Sequence, residues 1–268
     1  MNTDFKYKTA LITGGSSGIG LKLAEYLLEY GLDVFLVGID EAEVEESVEK
    51  LIGISDDYKV VGMALDLRVP EAVERVDHYC REHNWEIDLL VNCAGYARSG
   101  MTGDIPFDEE AGMIELHCIS YLKMTRMFLP EMLKNNHGCI VNLSSISAFQ
   151  PNPTLAVYGA SKAFVFNWSL ALWAELKSTK SKIQIQTICP TPVLTNFQKN
   201  AQMENSILFD TWMTVRPELV AREIIRAIKQ NKAMIVPGRF FHYLNKVVGL
   251  MPLGFKIWLS SLHLKTKK

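Results

Sequence analysis

The sequence carries no surplus of positive charge: 28 Lys and Arg stand against 30 Asp and Glu in 268 residues, a formal net charge of -2. It lacks the electrostatic footprint of a nucleic-acid binder, so no polyanionic partner is expected. Cysteine is scarce and unpatterned. Cys80, Cys93, Cys118, Cys139 and Cys189 are odd in number and form no CxxC pair, which speaks against a zinc site or redox dithiol and for free thiols in a reducing compartment. No metal is expected. Long hydrophobic runs are missing too: the most apolar region, Phe240 to Leu264, is interrupted by Lys246, Pro252, Gly254 and Lys256, short of the roughly 18 apolar residues that a membrane span requires. Met1 to Lys8 run directly into a strand-like segment without the apolar stretch of a signal peptide, so the expected location is the cytoplasm. There is also no Pro-, Ser- or Gly-rich linker and no low-complexity tract. The length alone allows one or two domains, and the missing linker favours one over residues 1–268.

What the chain does have is apolar mass, 48% hydrophobic against 22% charged residues, enough for a sizeable core. Short β-branched runs alternate with longer segments of helical spacing. Strands are expected at Thr9 to Thr13, Val34 to Val37, Val60 to Leu65, Leu89 to Asn92, Cys139 to Leu143, Ile183 to Ile188 and Met234 to Val236. Helices are expected near 18–30, 41–51, 70–83, 109–135, 155–178 and 217–230. Strands apolar at successive positions and separated by crossovers imply a doubly wound parallel α/β sheet. Residues 195–216 break the rhythm, polar at first and then apolar around Ile207, Leu208, Phe209, Trp212 and Met213, as in a lid over a site or a long loop.

The first expected strand ends in Thr13-Gly14-Gly15-Ser16-Ser17-Gly18-Ile19-Gly20 and a helix follows at once. Glycine at 14, 18 and 20 permits a tight turn, a close approach of pyrophosphate, and helix packing on the sheet; the helix N-terminus then faces the phosphates. Ser16 and Ser17 add hydroxyl donors. Together with Asn92-Cys93-Ala94-Gly95 after the fourth strand and Tyr158-Gly159-Ala160-Ser161-Lys162, this loop resembles the classical short-chain dehydrogenase/reductase family. The resemblance runs in order over about residues 8 to 237. It implies a single Rossmann-type domain on a seven-stranded parallel sheet, the strand number already counted, and an NAD(P)-dependent oxidoreductase.

Tyr158 and Lys162 stand four apart on an expected helix and therefore share a face. A tyrosine with pKa near 10 is a poor acid or base at neutral pH, and a neighbouring ammonium moves it toward the working range. The resemblance makes Tyr158 the acid/base and Lys162 both its electrostatic support and a ligand of the nicotinamide ribose. Ser145, thirteen positions before Tyr158, would anchor the substrate oxygen, with Ser144 the minority choice. The family's fourth catalytic residue is an Asn in the long helix after the fourth strand. Here that position falls on His117, which could preserve a proton relay, add pH sensitivity near its usual pKa of about 6.5, or have no chemical task. A catalytically weakened nucleotide-binding regulator is therefore the alternative function.

On the cofactor side the resemblance assigns Gly14, Ser16, Ser17, Gly18, Ile19, Gly20, Asn92, Ala94, Gly95, Tyr158 and Lys162. It adds Asp66 and Leu67 beside the adenine, although an Asp at 66 equally suits a turn cap. Pro190, Val193 and Thr195 complete the set in a loop that carries Thr191 where the family usually has glycine. Cys93 replaces a common second Asn and is expected to affect packing only. After the second strand, Gly38 and Ile39 stand where an acid would mark NAD and an arginine NADP. Asp40, Glu41 and Glu43 would repel a 2′-phosphate, so the balance favours NAD over NADP. The apolar residues Phe197, Leu208, Phe209, Trp212 and Met213 suggest a hydrophobic carbonyl or secondary alcohol as substrate, or simply pack on the sheet. The tail 239–268 reads as an amphipathic helical hairpin that covers the pocket, joins subunits of a homodimer or homotetramer, or lies on a membrane surface.

Overall fold

The computed structural model describes residues 5–55, 57–195, 197, 201, 214–238 and 250–263. Seven parallel strands form one sheet: β1 Thr9–Thr13, β2 Asp33–Gly38, β3 Val60–Ala64, β4 Leu89–Asn92, β5 Cys139–Leu143, β6 Gln184–Ile188 and β7 Met234–Ile235. Their order is β3-β2-β1-β4-β5-β6-β7. The chain winds outward in one direction from β1 to β3 and then in the other from β4 to β7. The reversal leaves a crevice outside the carboxyl ends of β1 and β4, where open α/β sheets bind ligands.

Alternation within the strands supplies both core layers. Ala10 and Ile12 of β1, Val34 and Leu36 of β2, and Leu89 and Val91 of β4 face α1 (Gly18–Glu29) and α7 (Pro217–Gln230), burying Leu23, Leu27, Val220, Ile224 and Ile228. Leu11, Phe35, Val37, Leu90, Ile140 and Ile185 face the other way. They meet Val73 and Val76 of α3 (Ala72–Glu82), Met124 and Phe128 of α5 (Tyr121–Asn135), and Leu176 of α6 (Ala156–Ser178). Each such side chain contributes about 1.5–3 kcal/mol of transfer free energy on leaving water. Helix ends follow their residues: Pro217 opens α7, while Asn136 and Asn231 close α5 and α7 in the left-handed conformation that asparagine tolerates. Asp40 caps α2 (Glu41–Ile52) by accepting the backbone N–H of Glu43 at 2.8 Å.

The single helix expected over 109–135 is interrupted. α4 (Phe107–Ile114) passes into a π-helical segment, Glu115–Ser120, before α5 begins. Periodicity cannot reveal such a bulge, because residues on either side of it keep helical spacing. The inserted residue turns His117 inward to full burial. In the tail, α8 spans Leu253–His263, while 239–249 and 264–268 lie outside the described residues. So do Leu208, Phe209, Trp212 and Met213 of the expected lid.

Candidate active site

The crevice is built first by the β1–α1 loop. Gly14 adopts φ +64° with its Cα against the β4 loop; a side-chain carbon there would lie 2.8 Å from Ala94 Cα. A side-chain carbon on Gly20 would collide with the carbonyl oxygen of Gly14. The turn can only be this tight with glycine at both places. Gly18 faces the methyl of Thr195 across the loop, and Ile19 packs into the core. Ser17 leads into α1 without a side-chain cap, so no side chain competes for the helix N-terminus that an anion would use.

Thr13, which composition and spacing do not single out beyond its place in the motif, clasps the switch point. Its hydroxyl accepts the N–H groups of Cys93 and Ala94 at 3.0 and 3.2 Å and donates to Val91 O. Ala94 O in turn accepts the Tyr121 hydroxyl at 2.9 Å. Gly95 follows, its Cα bordered by the imidazole of His117 and the ammonium of Lys162.

Several expected cofactor contacts have other partners. The side chain of Asn92 is fully buried and turned into the sheet, donating to Asn142 Oδ1 at 2.8 Å and Thr125 Oγ1 at 3.3 Å. It braces β4 against β5 and α5. Asn142 passes the network on to Ser169 of α6. Asp66 accepts Arg68 through its backbone N–H and guanidinium at 2.6–3.0 Å, which holds its carboxyl below the usual range; this is the turn-capping arrangement. Leu67 beside it is buried. Asp40 is occupied as the cap of α2. Ser16, expected as a phosphate donor, gives its hydroxyl to Glu43 Oε2 at 2.8 Å. A side chain at Gly38 would press on that Ser16 hydroxyl and on Val44.

Across the crevice, the loop after β6 is held by Ile146 N–H to Pro190 O at 3.1 Å and by a short parallel bridge of Val193 with Val215. Thr195 Oγ1 accepts the N–H of Phe197. Thr191 is buried and its hydroxyl oxygen has no hydrogen-bond partner among the described residues. A buried hydroxyl without a partner, a glycine cradle that any Cβ would fill, and an uncapped helix N-terminus together fit a dinucleotide at this switch point.

The reacting groups meet at the ends of β4 and β5. Ser145 follows β5 and accepts Ser147 N–H at 3.1 Å, leaving its own proton to donate. Ser144 spends its hydroxyl on Lys162 O at 2.8 Å. Tyr158 and Lys162 lie one turn apart on α6, 9% and 4% exposed. The Lys162 ammonium donates to Leu143 O at 2.9 Å and stands 5.9 Å from the centre of the Tyr158 ring. Burial outweighs this neighbour: it pushes the phenol up to about 12, with a hydrogen bond from Ser145 pulling the other way. Burial likewise brings Lys162 down to about 8. The expected drop of the tyrosine pKa is thus not realised by these residues alone, because desolvation disfavours both charged forms.

His117 accepts Tyr96 N–H at Nε2, 3.3 Å away, and its Nδ1 lies 2.8 Å from Ser161 Oγ. Burial, aided by the Lys162 charge, holds its pKa well below the usual histidine value, which speaks against the alternative that His117 senses pH near neutrality. Beside Tyr158 stands an apolar cluster of Ala97, Met113, Leu155, Ala201 and Phe197, the last with its ring 5.7 Å from that of Tyr158. Among the described residues no group of three or more His, Cys, Asp or Glu gathers as a metal would require.

Comparison with known proteins places this geometry. The short chain dehydrogenase family model matches residues 8–206. An uncharacterised oxidoreductase of Staphylococcus epidermidis is 34% identical over 178 residues, 66% of this chain and 75% of that protein. A very-long-chain 3-oxoacyl-CoA reductase of Anas platyrhynchos is 35% identical over 199 residues, 71% of this chain and 61% of that protein. Among solved structures, a short-chain dehydrogenase from Sphingobium yanoikuyae in complex with NADPH superposes with a TM-score of 0.80 at 26% identity, covering 90% of this chain and 93% of that one. With its glycine cradle at the β1/β4 reversal and Tyr158 and Lys162 on the helix after β5, the chain belongs to the short-chain dehydrogenase/reductase family and is an NAD(P)-dependent oxidoreductase.

Proposed function

We propose that the chain interconverts an apolar ketone and the corresponding secondary alcohol, with NAD as its preferred cofactor. The observation that carries this reading is the meeting of Ser145, Tyr158 and Lys162 beside the apolar wall of Ala97, Met113, Leu155 and Phe197. The likeness to a reductase of very-long-chain 3-oxoacyl-CoA agrees with a lipophilic oxo substrate.

A nicotinamide held in the glycine cradle would supply or take the hydride. In the reducing direction Ser145 donates a hydrogen bond to the substrate oxygen and Tyr158 gives it a proton. A phenol held near 12 is fully protonated at neutral pH and suited to donate. Lys162, charged below about 8, offsets the phenolate that remains. His117 serves as a positioning residue: both ring nitrogens are engaged, so it orders the Tyr96 backbone and the start of α6. The preference for NAD rests on Glu43, whose carboxylate on Ser16 sets negative charge beside the loop that a 2′-phosphate would approach.

The test is turnover of a panel of apolar and polar ketones with NADH and NADPH. Faster turnover of apolar ketones with NADH is expected, and Glu43→Gln should narrow the gap to NADPH. Preference for polar ketones would overturn the substrate reading. Tight NADH binding with no turnover on any ketone would favour the nucleotide-binding regulator instead.

A further inference from the structure

We infer that α8 docks this enzyme on an anionic lipid surface. The helix leaves large apolar side chains in solvent, where a helix that only packs on its own protein normally turns them inward. Its buried side carries Ser260, 3% exposed, whose hydroxyl donates to Pro151 O at 2.9 Å. Its outer side carries Phe255 and Trp258, 44% and 55% exposed, with ring centres 5.5 Å apart. Leu250 and Leu253 extend the patch at the start of the helix, both more than half exposed. Exposed apolar side chains gathered on one short helix, an aromatic pair among them, mark an interaction site rather than scattered chance exposure.

Charge selects the occupant. From Ile224 to the last residue the sequence has nine Lys and Arg and no Asp or Glu, although the whole chain is net -2. All of its acidic residues therefore precede Ile224. Arg239, Lys246, Lys256, Lys265, Lys267 and Lys268 bracket the aromatic patch in sequence. Basic residues around Trp and Phe are the composition of an element that lies at the headgroup level of an anionic leaflet. A symmetric contact with a second copy would instead set this basic segment against itself. No helix among the described residues is long and apolar enough to cross a membrane, so the helix rests on the surface. Pro151, to which Ser260 is bonded, belongs to the loop that enters α6 and Tyr158, so docking is tied to the catalytic side of the fold. This inference stands independently of the ketone proposed above.

The test is co-sedimentation of the full chain with vesicles of phosphatidylcholine alone and with about 30 mol% phosphatidylglycerol. Binding is expected to the anionic vesicles, at least about tenfold tighter than to the neutral ones, and to weaken in about 0.5 M salt as screening shortens the attraction. The double variant Phe255→Ser/Trp258→Ser, altered only at exposed positions, should lose about tenfold or more of this binding while keeping its cofactor affinity. The triple variant Lys265→Glu/Lys267→Glu/Lys268→Glu should lose it as well. Equal affinity for both vesicle types, or binding unchanged in both variants, would overturn the proposal. So would a double variant that sediments at half the wild-type mass without vesicles, since the face would then be a contact between copies.

Discussion

His117 Nδ1 lies 2.8 Å from Ser161 Oγ, and Ser161 gives its single hydroxyl proton to Tyr158 O, also at 2.8 Å. Ser161 therefore accepts from His117, which fixes the proton on Nδ1 and leaves Nε2 to accept the Tyr96 N–H. The imidazole is neutral and has one tautomer. It bridges the β4 loop to the catalytic helix, a task that the tetrad's asparagine could also fill with its carbonyl and amide.

His117→Asn should accordingly retain turnover within about tenfold of wild type, whereas His117→Ala strands the Tyr96 amide and should cost about 1–3 kcal/mol of stability. Thermal melts and steady-state rates on both variants check this. An alanine variant as stable as wild type would show that the bridge carries no weight.

Tyr158→Phe removes the acid and keeps the ring. A fall in kcat of about 10²- to 10⁴-fold is expected, the usual worth of a positioned general acid, with NADH still bound in fluorescence titration. Undiminished turnover would remove Tyr158 from the chemistry.

The pH profile should reflect lysine, not histidine. With Lys162 near 8, kcat/KM for ketone reduction is expected to decline above about pH 8 as its charge is lost. No limb is expected near the usual histidine value, because burial keeps His117 neutral throughout. A limb near pH 6.5 that vanishes in His117→Asn would contradict the neutral assignment.

Lys162 should also cost stability. Its pKa is about 8 in the fold against 10.5 for the free side chain, so the unfolded chain binds more protons between those values and stability rises with pH across that window. Below it the penalty is complete, about 3 kcal/mol. Lys162→Met, after losing the bond to Leu143 O, should gain about 1–2 kcal/mol at pH 7 and less at pH 10. Melts at the two pH values decide; a variant that melts lower at pH 7 defeats the prediction.

Gly20→Ala should abolish cofactor binding and lower stability, because its new carbon meets the Gly14 carbonyl. The same substitution at Gly254, where nothing among the described residues lies within 4 Å, should be neutral or stabilising by up to about 1 kcal/mol. Equal effects at the two positions would mean that the phosphate loop has room to relax.

The sequence by itself determined the alternation of strands and helices and the order of the motifs. β1, β4 and β5 begin and end where they are expected from the sequence, since a strand buried on both faces is apolar at most successive positions. It also determined that Tyr158 and Lys162 share a face, because helical spacing is local. Only the tertiary structure decided what each polar group spends its hydrogen bonds on. Asn92 and Asp66 sit in familiar motif positions, yet their partners, Asn142 and Thr125 for one and Arg68 for the other, come from how strands and turns pack. The inward turn of His117 required the π-helical segment, and the shifts of Tyr158, Lys162 and His117 required burial. Desolvation depends on what the rest of the chain places around a group, and no local pattern of residues encodes it.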